Sequence, residues 1–133
     1  MKESLDSLGL SRLHDAELIS ILHVDHHEVA ITFETVAKQR VKLELSGLVD
    51  LYIRDLRQQN VVMDVSVQNV DEASIEAIVA ELDHASNGQA PSINTTQLKH
   101  LASIGNLKFV CLEPSTGCIV YALCTKIELT ACS

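Results

Sequence analysis

His14–Ser46, HDAELISILHVDHHEVAITFETVAKQRVKLELS, decides the fold class of this chain. Leu18, Ile19, Ile21, Leu22 and Val24 form a run rich in β-branched and aliphatic residues, and Asp25-His26-His27-Glu28 interrupts it with polar turn formers. Val29, Ile31 and Phe33 then alternate with Ala30, Thr32 and Glu34, so the segment predicts a β-hairpin. After a second polar break at Thr35–Gln39, Val41, Leu43 and Leu45 alternate with Arg40, Lys42 and Glu44. That pattern gives a third strand with one apolar face and one charged, solvated face.

Working outward, residues 1–12 lack a sustained period and are expected to form a loosely ordered lead-in. Ser46-Gly47 ends the third strand, and Leu48–Leu56 fits a short strand or a helical turn. From Asn60, alternation predicts a strand with Val61, Met63, Val65 and Val67 on one face. Asp71 suits a helix N-cap, with Glu72 and Glu76 at the positive end of the helix dipole. Ile75, Ile78, Val79 and Leu82 then recur every three or four residues, which predicts the main helix over about 71–84, closed by Asn87-Gly88. Residues 86–96, rich in Gly, Pro, Ser and Asn, read as a mobile loop, and Thr96–Ile104 as a short second helix.

Leu107–Glu113 and Cys118–Leu129 flank Pro114-Ser115-Thr116-Gly117, a four-residue hairpin loop. Pairing Glu113 with Cys118 sets Phe109, Cys111, Val120, Ala122 and Cys124 on one face, and Val110, Leu112, Ile119, Tyr121 and Leu123 on the other. Both faces are apolar and need cover. The small residues Cys118, Ala122 and Cys124 are the expected seat of the helix, and a second sheet surface or a second copy in a homodimer would cover the opposite side. The expected architecture is a single α+β domain over 1–133: an antiparallel meander of about six strands with one main helix packed on it.

Composition narrows the function classes. Ten basic against eighteen acidic residues give a net charge of −8, and only four aromatics are present. That balance disfavours nucleic acid and anionic membranes and favours a basic protein partner. The chain carries no apolar run of membrane-spanning length and no secretory pattern at Met1–Asp15, so a cytoplasmic location is expected. Its four cysteines form no CxxC pair, and three of them are expected to act as small core residues.

Two clusters invite a chemical reading. His14-Asp15 with His23, Asp25, His26 and His27 offers imidazoles and carboxylates, and on an extended strand His23, Asp25 and His27 would point to one side, where they could bind a divalent metal or exchange protons. The same residues suit strand entry and turn chemistry, so neither a catalytic residue nor a cofactor is assigned. Tyr52, Arg54, Asp55 and Arg57 combine residue types enriched at protein interfaces, and Glu72 and Glu76 add an exposed acidic side; these six are the expected binding residues.

Leu13-His14-Asp15-Ala16 before the first strand, Gly47-Leu48-Val49, Gln59-Asn60-Val61, and Pro114-Ser115 with Gly117 together resemble small bacterial proteins of unknown function, some grouped with immunity proteins of polymorphic toxin systems. The resemblance implies a non-enzymatic protein that neutralises a cognate toxin by binding it. A homo-oligomeric structural protein and a metal-dependent enzyme built on His14, Asp15, His23 and His27 are the alternatives.

Overall fold

The computed structural model describes residues 9–88 and 94–132. Eight strands form one antiparallel sheet: β1 (Glu17–Asp25), β2 (Glu28–Glu34), β3 (Arg40–Ser46), β4 (Asp50–Arg54), β5 (Val61–Asn69), β6 (Lys108–Thr116), β7 (Ile119–Cys124) and β8 (Lys126–Ala131). Two helices join them, α1 (Ile75–Ala85) and α2 (Thr95–Ser103). The α+β class holds, but the described residues form eight strands, not about six. The order β4-β7-β6-β5-β1-β2-β3-β8 is also not one continuous meander.

A bent ribbon accounts for the difference. β3 pairs with β8 as far as Ser46↔Lys126, and β4 pairs with β7 from Asp50↔Leu123, so four steps on one side match three on the other. Hydrogen bonds from Thr125 N to Ser46 O (3.1 Å) and from Val49 N to Leu123 O (2.7 Å) carry the ladder through the bend. Gly47, at φ +62°, makes the corner on one side, with Thr125 packed against its Cα. What reads in the sequence as one long final strand is therefore two, each in a different half of the sheet.

The halves β1-β2-β3-β8 and β5-β6-β7-β4 face each other across one core. Phe33, Leu43 and Leu45 from the first half meet Val65, Leu112, Val120 and Ala122 from the second, with Leu10 and Leu13 of a 3-10 turn closing one end. The expected lead-in thus contributes one buried anchor, Leu10, with Leu13 directly after it, while residues 1–8 lie outside the described residues. At the second corner β1 meets β5 through the single pair Glu17↔Val61, reinforced by Leu18 N to Asn60 O and Val62 N to Ala16 O, each 2.8 Å.

The register of the β6–β7 hairpin differs from expectation by one residue: Leu112 pairs with Val120 and Phe109 with Leu123, and β6 runs on through Pro114 to Thr116. A one-residue slip exchanges the partners on each face. Val110, Leu112, Val120, Ala122 and Cys124 therefore point into the sheet core, and Phe109 and Leu123 meet the helices. The small residues expected to seat the main helix line the interior instead. In β5, irregular register between Val61 and Asp64 likewise moves burial to Val62, Val65 and Val67 and leaves Met63 exposed.

Ile75, Ile78 and Leu82 of α1 and Leu98 and Ala102 of α2 form a second cluster over Phe109 and Leu123. Asp71 Oδ1 accepts from Ser74 N at 2.9 Å, so the expected cap forms, on a 3-10 turn (Glu72–Ser74) leading into α1. Gly88 N to Asp83 O (2.8 Å) closes the other end. Of the expected mobile loop, Ser86–Gly88 are a turn and Asn94 caps α2 through its side chain; residues 89–93 lie outside the described residues. Among the described residues no helix is long and apolar enough to cross a membrane.

Candidate protein interface

The registers of β5, β6, β7 and β4 set Ser66, Cys111, Tyr121 and Tyr52 in a row across the outer face of the second half. The row on one side, with Phe109 and Leu123, is covered by the helices. On the other side, Asp64 pairs with Glu113, and Ile119 with Arg54. The Phe109 and Tyr121 rings stack with centroids 5.9 Å apart, so Tyr121 forms the margin between covered and open sheet.

Tyr52 and Arg54, two of the expected binding residues, belong to this patch and also hold it together. Tyr52 Oη donates to Ala85 O at 3.0 Å, and an Arg54 guanidinium nitrogen donates to the same oxygen at 3.2 Å. This carbonyl is among those a helix leaves without partners at its last turn, where a cation also complements the dipole. Arg54 further pairs with Asp55 at 3.3 Å.

Glu72 and Glu76 sit at the opposite end of α1, roughly 14 Å along the helix axis from Ala85. Glu76 is paired there with Lys99 of α2 at 3.5 Å. Arg57 lies on the connection between β4 and β5, across a groove from β1. The six expected residues are thus three in one patch and three outside it.

Sequence reasoning did not single out Tyr121, Asp64 or Glu113, because their juxtaposition comes from the registers of separate strands. Asp64, Glu81 and Glu113 enter no ion pair among the described residues. Asp64 and Glu113 stand directly opposite each other, an arrangement that destabilises a sheet. The field of Glu81 and Glu113 is felt locally. Burial first, then Glu81 and, less strongly, Glu113, push the Cys111 thiol up to about 12 against a lowering contact from Ser66. Burial also raises the Tyr121 phenol, with Cys111 and Glu81 adding to it and Arg54 opposing.

The histidine cluster does not assemble. His14 and Asp15 are 3.6 Å apart at the start of β1 and are occupied by structure: His14 Nδ1 donates to Met63 O at 2.6 Å, and Asp15 N to Val62 O at 2.8 Å. His23, Asp25 and His27 lie at the far end of a nine-residue strand, roughly 25 Å away. They do not share one side of an extended strand either, since β1 ends at Asp25, whose Oδ1 accepts from His27 N at 2.7 Å in the turn. No group of three or more metal-ligating side chains occurs among the described residues.

The basic run Lys38, Arg40 and Lys42 is offset by Glu34 and Glu44, at 3.6–3.8 Å. Cys118 and Cys124 are buried as expected of core residues, Cys111 is half-buried and Cys132 is exposed. Neither a protein-family model nor a curated protein sequence matches the chain.

Proposed function

We propose that this protein is a protein-binding module for a basic partner, of which a cytoplasmic immunity-type inhibitor of a bacterial toxin is the concrete form. The observation that carries the reading is the outer face around Tyr121. Two tyrosines and an arginine stand there beside three carboxylates with no cation partner among the described residues, two of them in direct cross-strand opposition. A basic side chain docked between Asp64 and Glu113 relieves their repulsion. The half-buried tyrosines supply contact area at low cost in side-chain entropy.

The test is affinity capture with the intact protein, followed by titration of the recovered partner against wild type and Glu113→Lys. The expected partner is basic, and reversing one central charge weakens it by about 10- to 100-fold, as for truncation of a well-placed interface charge. Recovery of no specific partner, or equal affinity for the charge-reversed variant, would sink this reading.

A further inference from the structure

Three of the chain's ten basic residues line one cavity. It has a volume of about 580 Å³ and is walled by Arg12 of the 3-10 turn, by Lys38, Gln39 and Arg40 leading into β3, and by Ala131 and Cys132 at the end of β8, together with buried Val41. Glu34 lies 3.7 Å from Lys38 and 3.6 Å from Arg40, but one carboxylate offsets only one of the two charges. Arg12 enters no ion pair among the described residues, and its Nε donates to Gly9 O at 3.4 Å. Three cations less one carboxylate leave an excess of two positive charges here, in a chain of net charge −8.

The connection that presents two of the cations is firmly held. Thr35 is buried; its N–H donates to Gln39 O at 2.8 Å, its carbonyl accepts from Lys38 N at 2.9 Å, and its hydroxyl accepts from Gln39 N at 3.2 Å. Lys38 is thereby fixed at φ +64°, a left-handed conformation that favours glycine. The other non-glycine residues of this kind among the described residues are Asp15, Asp55 and Asn87, short side chains that tolerate it. Lys38 is the exception, and such a backbone outlier points to a use for its side chain. Opposite it, Cys132 N donates to Arg40 O at 2.9 Å and ties the end of β8 to the cationic strand.

We propose that this cavity binds a small molecule carrying a phosphate monoester. A phosphoryl group brings a charge of about −1.5 to −2 at neutral pH, which matches the local excess, whereas a single carboxylate leaves one cation unmatched. Two guanidinium forks and an ammonium are donors suited to its oxygens. The cavity falls within the range of roughly 300–1,000 Å³ that takes whole small molecules, so the anion brings a body, for which Gln39, Val41 and Ala131 offer contact. A polyanion is disfavoured, because phosphates beyond the cavity meet the field of an acidic chain.

The probe is ribose 5-phosphate, titrated into the intact protein at low ionic strength and followed by amide chemical shifts, with ribose and inorganic phosphate in parallel. Saturable shifts at residues 12, 38–41 and 131–132 are expected, with a Kd of about 1 mM or tighter, no response to ribose, and affinity for inorganic phosphate weaker by about 3-fold or more. The bound ester should also slow alkylation of the exposed Cys132 by iodoacetamide. Lys38→Gly removes the ammonium while relieving the backbone, so it should weaken binding by about 3- to 10-fold yet melt at or above the wild-type temperature. Arg12→Gln should weaken binding by a similar factor.

No saturable shift up to about 20 mM ester, or binding that both variants leave unchanged, overturns the proposal. Inorganic phosphate bound as tightly as the ester overturns the ester and leaves free phosphate as the ligand; a phosphorylated peptide bound more tightly overturns the small molecule. The cavity lies on β3 and β8, away from the Tyr121 patch on β4 and β7, so both variants should bind any basic partner as wild type does and the two readings fail independently.

Discussion

Replacing Gly47 by Ala tests whether the bent ribbon closes the fold. Gly47 sits at φ +62°, and a Cβ there would run into the Thr125 hydroxyl, with Thr125 Cβ itself 3.0 Å away. Rotating the Thr125 side chain does not clear the site, because its Cβ moves only with the backbone. The left-handed conformation costs an Ala roughly 1–2 kcal/mol. Overpacking at the corner adds roughly 1–3 kcal/mol. The sum, roughly 2–5 kcal/mol, corresponds to a fall in Tm of about 6–15 °C for a chain of this size.

Urea unfolding of Gly47→Ala, Thr125→Ala and the double variant separates the two contributions. Thr125→Ala alone gives up only a 3.5 Å hydrogen bond to Ser46 O and should cost less than about 1 kcal/mol. In the double variant the hydroxyl clash is gone, so its loss should fall short of the summed single losses by about 1 kcal/mol or more. Strict additivity, or a Gly47→Ala variant within about 0.5 kcal/mol of wild type, would refute the contact across the bend.

Two further outcomes follow from buried groups. Asn60 is buried, with Oδ1 accepting from Arg57 N (2.9 Å) and Cys118 N (3.0 Å) while Nδ2 donates to Arg57 O (2.7 Å). Asn60→Ala strands those groups and should cost about 2–4 kcal/mol in chemical denaturation. Burial pushes the Cys124 and Cys111 thiols from 9.0 to about 12. Between those values the folded state holds protons that the unfolded state releases, so their contribution to stability is complete below pH 9 and lost as pH rises toward 12. A melting temperature that falls over this window, less steeply in Cys124→Ala, is the expected record. At neutral pH a thiol reagent should modify Cys132 fast, and Cys118 and Cys124 only at the rate of unfolding.

The sequence by itself determined whatever depends on neighbours along the chain. The hairpin at Asp25–Glu28 follows from period-two alternation broken by turn residues. The Asp71 cap, the stripe Ile75-Ile78-Leu82 and the Asn87-Gly88 stop are also local and appear where expected. Tyr52 and Arg54 were recognisable by residue type, although not their hold on Ala85 O.

What only the tertiary structure decided depends on register and on strands distant in sequence. A slip of one residue in β6–β7 exchanged Ala122 and Cys124 for Phe109 and Leu123 beneath the helices, and alternation alone cannot fix register where both faces are apolar. The bend at Gly47 and Thr125 divided the apparent single final strand between the two halves. Asp64 came to oppose Glu113 through β5–β6 pairing, and His14 was parted from His23 by the length of β1. The second edge of β1 is the clearest case: its residues read as an ordinary strand, and only the tertiary structure limits its pairing with β5 to Glu17↔Val61 among the described residues.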